Sequence, residues 1–158
     1  MTGGPAPEAP PLLPHAGPLF RAIFRGADPL APASAPEGRF HQSGQFALYA
    51  SLTPEGCAVA IRRYLRADDP PREIVPLQLA AARLADLRGQ PGVSAVWQDL
   101  RAAGVPSPTW AFSDAARAAG AEGMLYSSRS RPELTHVVIF RPGLLRQAGP
   151  PRPFPAGL

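Results

Sequence analysis

Residues 46–61 read Phe46-Ala47-Leu48-Tyr49-Ala50-Ser51-Leu52-Thr53-Pro54-Glu55-Gly56-Cys57-Ala58-Val59-Ala60-Ile61, and a change of period inside this stretch decides the class of fold. Phe46, Leu48 and Ala50 alternate with Ala47 and Tyr49, the period-two pattern of a strand. Thr53-Pro54-Glu55 then starts a helix, with Thr as cap, Pro at the first helical position and Glu in the positive first turn. The helix is expected to run to about Leu65, where Asp68-Asp69-Pro70-Pro71 stops it.

Further out, Leu19 to Phe24 is a short apolar strand carrying Arg21, and residues 25–38 form a Gly-, Pro- and Ser-rich loop. Ile74, Val75, Leu77 and Leu79 begin an extended segment that Pro76 demotes to an edge or a bulge. Residues 80–87 read equally as strand or helix. A helix is expected over Val93 to Ala103, and another capped by Ser113 that ends near Gly120. Gly123 to Tyr126 and Thr135 to Phe140 are strands on either side of a polar loop, Ser127 to Glu133. The expected fold class is α+β, short mixed strands with inserted helices.

The chain has 158 residues and 22 prolines, of which 11 lie in residues 1–18 and 142–158. That clustering predicts a domain over 19–142 between a Pro-rich N-terminal tail, 1–18, and a Pro-rich C-terminal tail, 143–158. All 16 basic residues are Arg, with no Lys or Asn anywhere and a net charge of +4. G/C-rich codon usage explains that bias, and the arginines are too dispersed for a nucleic-acid patch, so no direct nucleic-acid binding is expected. A lone Cys57 excludes an internal disulfide, and the wide spacing of His15, His41 and His136 gives no metal-binding pattern. Without a signal-like start or a run of roughly 18 apolar residues, a soluble cytoplasmic protein with no membrane partner is expected.

Four positions can carry chemistry, each with an ordinary alternative. Arg21 is an anion fork or a solvent-facing edge-strand arginine. In Glu37-Gly38-Arg39-Phe40-His41, Gly38 permits close approach and Arg39 holds a phosphate, unless the segment is a plain turn. Tyr49 stacks on a planar ring or is a core tyrosine. Ser128, just past a strand end, reaches a ligand phosphate or ribose, or is simply a loop serine.

Taken in order, these segments resemble the RES domain family, named for Arg, Glu and Ser. The matching pieces are Leu19-Phe20-Arg21-Ala22, Gly38-Arg39-Phe40, Ala47-Leu48-Tyr49 and the Thr53-Pro54-Glu55 helix start. They continue with Asp86-Leu87, residues 119–128 and Val137-Val138-Ile139-Phe140-Arg141. The resemblance implies a fold related to ADP-ribosyltransferase toxins and a toxin–antitoxin system. Its toxin would be an NAD phosphorylase or glycohydrolase that splits the nicotinamide–ribose bond. NAD is then substrate, no cofactor is required, and the partner is an Xre-like antitoxin that plugs the site; a homodimer stays open. The family's arginines fall on Arg21 and Arg39, its tyrosine on Tyr49 and its serine on Ser128, all four as catalytic and NAD-contacting residues.

One family residue is absent. The helix glutamate is expected where this chain has Ala60, and Glu55 lies on another face of the helix. A carboxylate there stabilises an oxocarbenium-like ribose, and losing such a contact costs on the order of 3–4 kcal/mol in the transition state. The sequence therefore leaves three outcomes: a slow enzyme, a carboxylate supplied by Glu37 or Asp86, or a RES fold that binds a nucleotide or protein without turnover. A mono-ADP-ribosyltransferase is a further alternative.

Overall fold

A computed structural model describes residues 9–155. Its seven strands are β1 (Leu12–Phe24), β2 (Leu48–Ser51), β3 (Arg72–Asp86), β4 (Gly123–Ser127), β5 (Thr135–Ile139), β6 (Leu145–Gln147) and β7 (Arg152–Pro153). Three short helices, α1 (Pro54–Ile61), α2 (Gln98–Ala102) and α3 (Trp110–Ala118), are inserted among them. This is the mixed α+β architecture expected. The order β1-β2-β5-β4-β3 closes on itself because β3 also pairs with β1, from Leu12 opposite Ala85 to Phe24 opposite Arg72.

Alternation along the strands produces two apolar faces. Leu48, Leu77, Leu79, Leu84, Leu125, Val137 and Ile139 point into the closed sheet with Leu19. Phe40, Met124, Tyr126, Val138 and Phe140 lie on its outer face, where Ala116 of α3 packs. α1 begins as read: Thr53 caps it, accepting from the Gly56 amide at 2.9 Å. It ends at Ile61, however, and a 3-10 turn over Arg62–Tyr64 follows.

The two ends of the chain depart from the expected tails. β1 begins at Leu12, so residues 12–18 are strand, and β6 and β7 place residues 145–147 and 152–153 against β3. Residues 12–18 of β1 pair only with β3, so Pro14 and Pro18 can turn their missing N–H groups to the open side. Residues 1–8 and 156–158 of the expected tails lie outside the described residues. Pro76 does not put β3 at an edge: it faces Phe20 of β1, and on the other side falls between the β7 and β6 pairings. Residues 80–86 resolve as strand.

Two helices also differ from expectation. Instead of one helix over Val93–Ala103 there is a 3-10 turn, Pro91–Ser94, and then α2. The carbonyls of Val93 and Ala95 accept from Arg39 instead of from a continuing helix. α3 starts at Trp110, which puts Ser113 inside it rather than at its cap, with its hydroxyl donating to the Trp110 carbonyl at 3.3 Å.

Candidate active site

The Gly38–His41 turn is fixed from two sides. From β2, the Tyr49 hydroxyl accepts from the Phe40 amide at 2.9 Å and meets His41 Nδ1 at 2.8 Å. His41 Nε2 donates to the Ala35 carbonyl at 3.0 Å, so in the neutral ring Nδ1 is the acceptor and Tyr49 the donor. From α3, Trp110 Nε1 donates to the Gly38 carbonyl at 2.8 Å and Arg117 Nη1 to the Phe40 carbonyl at 2.8 Å, and Thr109, just before the helix, donates from Oγ1 to the Arg39 carbonyl. Gly38 is required by crowding: a Cβ there would stand 2.6 Å from His41 Cε1.

This turn aims Arg39. Its Nη1 donates to the Val93 and Ala95 carbonyls, at 3.3 and 2.9 Å, while Nε and Nη2 have no partner among the described residues. One edge of the guanidinium fork is thus anchored and the other is open, the edge that binds phosphate bidentately. Burial lowers its pKa, and its charge is felt by Tyr126, Tyr64 and Tyr49 and opposed by Arg129.

Beneath it, three side chains form one row across the outer face, since Ser51 pairs with His136 and His136 with Tyr126. Ser51 Oγ lies 2.6 Å from His136 Nδ1, and the Tyr126 and His136 rings meet edge to face at 5.5 Å. Phe40, next to Arg39, packs edge-on against Tyr126 at 4.7 Å. Burial, aided by the Arg39 charge, pushes the His136 pKa down to about 4. Burial raises the Tyr126 hydroxyl well above its ordinary value and the Tyr49 hydroxyl to about 12.

The structure therefore brings Arg39 and Tyr49 together and sets Arg21 apart. Arg21 alternates with Phe20, the partner of Ser51, so it shares the face of Leu19 and Ile23. Its Nη1 donates to the Pro29 and Ala31 carbonyls at 2.8 and 2.6 Å, tying down the loop that leads to Gly38. Ser128 is buried and its Oγ accepts from the Arg131 amide at 3.2 Å, closing the turn after β4. Its hydroxyl hydrogen has no acceptor among the described residues. Ala60 is exposed on α1, one turn beyond Gly56, whose Cβ position would touch Ser51 Cβ at 3.0 Å. It therefore shares the helix face that leans on the Ser51 row.

The other carboxylates considered are held by arginines. Glu37 pairs with Arg101 at 2.8 Å, Asp86 with Arg88 at 2.8 Å and Glu55 with Arg131 at 3.0 Å. Those hydrogen bonds hold the Glu37 and Asp86 carboxyls below the usual range. Cys57 is buried, its Sγ donating to the Pro54 carbonyl, and burial raises its pKa to about 12, so it is no nucleophile. Among the described residues no group of three His, Cys, Asp or Glu side chains is arranged to hold a metal.

The sequence reading missed Ser51, Tyr126 and His136. The signal was parity: His136 falls on the face opposite Val137 and Ile139, so a polar group in an apolar run pointed out of the closed sheet and under the outer layer.

Comparison with known proteins bears on the fold and the family. No curated protein matches the chain in sequence. A chain of the M. tuberculosis MbcT–MbcA toxin–antitoxin complex shares the fold, with a TM-score of 0.64 and 17% identity over 87% of this chain and 84% of that one. The RES domain profile matches residues 13–156, which takes in the strands at both ends that composition had assigned to tails. The chain belongs to the RES domain family.

Proposed function

We propose that this protein is the toxin of a toxin–antitoxin pair and cleaves the nicotinamide–ribose bond of NAD, with phosphate or water as acceptor. The observation that carries the reading is the half-anchored Arg39 fork, open beside Tyr126 and His136. A dinucleotide's pyrophosphate matches that fork, and Ser128 has a hydroxyl hydrogen to offer a ribose or phosphate oxygen. The Tyr49 ring flanks the nicotinamide side while its hydroxyl holds the Arg39 turn, and Arg21 acts on the loop behind it.

Glycosidic cleavage builds positive charge on the ribose. With Ala60 in place of a glutamate, and with Glu37, Asp86 and Glu55 (on another face of α1) all held by arginines, none of these carboxylates is free to offset that charge, so turnover is slow. The same observation favours a second reading, a RES fold that binds the dinucleotide without cleaving it. Incubating the purified protein with NAD, with and without phosphate, separates the two: nicotinamide release supports the first, while ADP-ribose binding without release supports the second.

An Xre-like antitoxin is the proposed partner. Tyr64, Leu65, Val96 and Leu100 expose apolar surface around Arg39's anchor points, and Gln98 Nε2 donates to the Tyr64 hydroxyl at 3.0 Å to join the two segments. A protein that covers this rim would close the site. Expression alone should arrest growth, Arg39→Ala should relieve the arrest, and co-expression of a neighbouring helix-turn-helix protein should do the same.

A further inference from the structure

The Ser51–His136 pair has no counterpart among the residues that carried the family resemblance, and its hydrogen placement can be derived. Both side chains are buried, Ser51 at 0% and His136 at 6% exposure. If His136 donated from Nδ1, the Ser51 hydroxyl hydrogen would be buried without an acceptor among the described residues, which is costly. Ser51 therefore donates to Nδ1, and the neutral imidazole carries its proton on Nε2.

That Nε2–H has no partner among the described residues, and neither has the Tyr126 hydroxyl, although Tyr126 is only 7% exposed. No fully buried side-chain polar atom among the described residues is left unpaired, so neither tip is completely sealed in the outer face. Arg39, whose Nε and Nη2 have no partner among the described residues, lies near enough for its charge to act on both His136 and Tyr126, and its neighbour Phe40 packs on Tyr126. Arg129 adds a second positive charge, while the carboxylates of Glu37, Asp86 and Glu55 are paired elsewhere. The row presents donors, and those three carboxylates are each tied to an arginine.

We propose that Arg39, His136 Nε2–H and the Tyr126 hydroxyl form a subsite for one phosphoryl group, and that Ser51 is the positioning residue that fixes the donating tautomer of His136. A neutral donor beside a cationic fork suits a tetrahedral oxyanion, which accepts several hydrogen bonds at once. The group is either one phosphate of a dinucleotide or free inorganic phosphate acting as acceptor. Only that choice of source rests on the function proposed above.

The test uses the full-length protein and inorganic phosphate, so it does not depend on NAD turnover. Ring-nitrogen NMR of the wild-type protein should show His136 as the neutral Nε2–H tautomer, with Nε2 shifting as phosphate is added. Ser51→Ala should mix the tautomers and weaken phosphate binding several-fold, and His136→Phe should weaken it about tenfold or more in calorimetry. Competition between phosphate and ADP-ribose assigns the subsite to a dinucleotide phosphate, and simultaneous binding assigns it to the free anion. An Nδ1–H tautomer, or a wild-type His136 signal indifferent to phosphate, overturns the proposal without touching the NAD reading.

Discussion

At the scale of single residues, two tyrosines of the outer face do different work, Tyr49 partly buried and Tyr126 buried. The Tyr49 hydroxyl is saturated by Phe40 and His41 and sets the position of Arg39, whereas the Tyr126 hydroxyl has no protein partner among the described residues. Tyr49→Phe leaves the Phe40 amide without its acceptor and should cost about 1–3 kcal/mol of stability by urea unfolding. Tyr126→Phe removes no internal bond and should leave the urea midpoint nearly unchanged. His136 gives a pH signature. Its folded pKa, about 4, lies below the ordinary 6.5, so between those values the unfolded chain binds more protons than the folded one. Stability from this group is complete above pH 6.5 and is lost as pH falls toward 4, at most about 3 kcal/mol. Unfolding curves across that window should slope less in His136→Gln than in the wild type.

At the scale of elements, closure of the sheet depends on the two long strands, β1 and β3. Deleting residues 1–18 removes the pairing of Leu12 and Leu13 with Ala85 and Leu84, and should lower unfolding stability by about 2–4 kcal/mol or abolish folding. A dispensable tail would leave the melt unchanged. Gly123→Ala would put a Cβ 2.4 Å from the Val138 carbonyl oxygen, between β4 and β5, and should destabilise comparably in the same assay.

Elements of this kind divide into those the sequence announces and those it hides. The Thr53 cap and the apolar runs of β4 and β5 are local signals, and they were legible. The start of β1 and the strands β6 and β7 were not: β1 and β7 contain prolines tolerated through pairing with β3, and β6 is three residues that become a strand only against β3. The helix expected at Val93 fails for a related reason, since Arg39, 54 residues earlier, takes the Val93 carbonyl. Of the site, Arg39 and Tyr49 were readable as separate candidates. Their joining through one hydroxyl, and the Ser51–His136–Tyr126 row, depend on strand register.

At the scale of the whole molecule, the closed sheet is a scaffold with an apolar interior, and the proposed chemistry sits on its outer face under α1 and α3. The distribution of charge fits that arrangement: arginine occupies the site edge, and the acids nearest it are tied into pairs. The central claim is that this face cleaves NAD at a rate limited by the alanine at position 60. The most direct measurement is nicotinamide release from NAD by purified wild-type, Arg39→Ala and Ala60→Glu proteins in phosphate buffer. Slow release by the wild type, abolished in Arg39→Ala and raised a hundredfold or more in Ala60→Glu, is the result the account predicts. No release from either the wild type or Ala60→Glu, with both proteins folded, would contradict it.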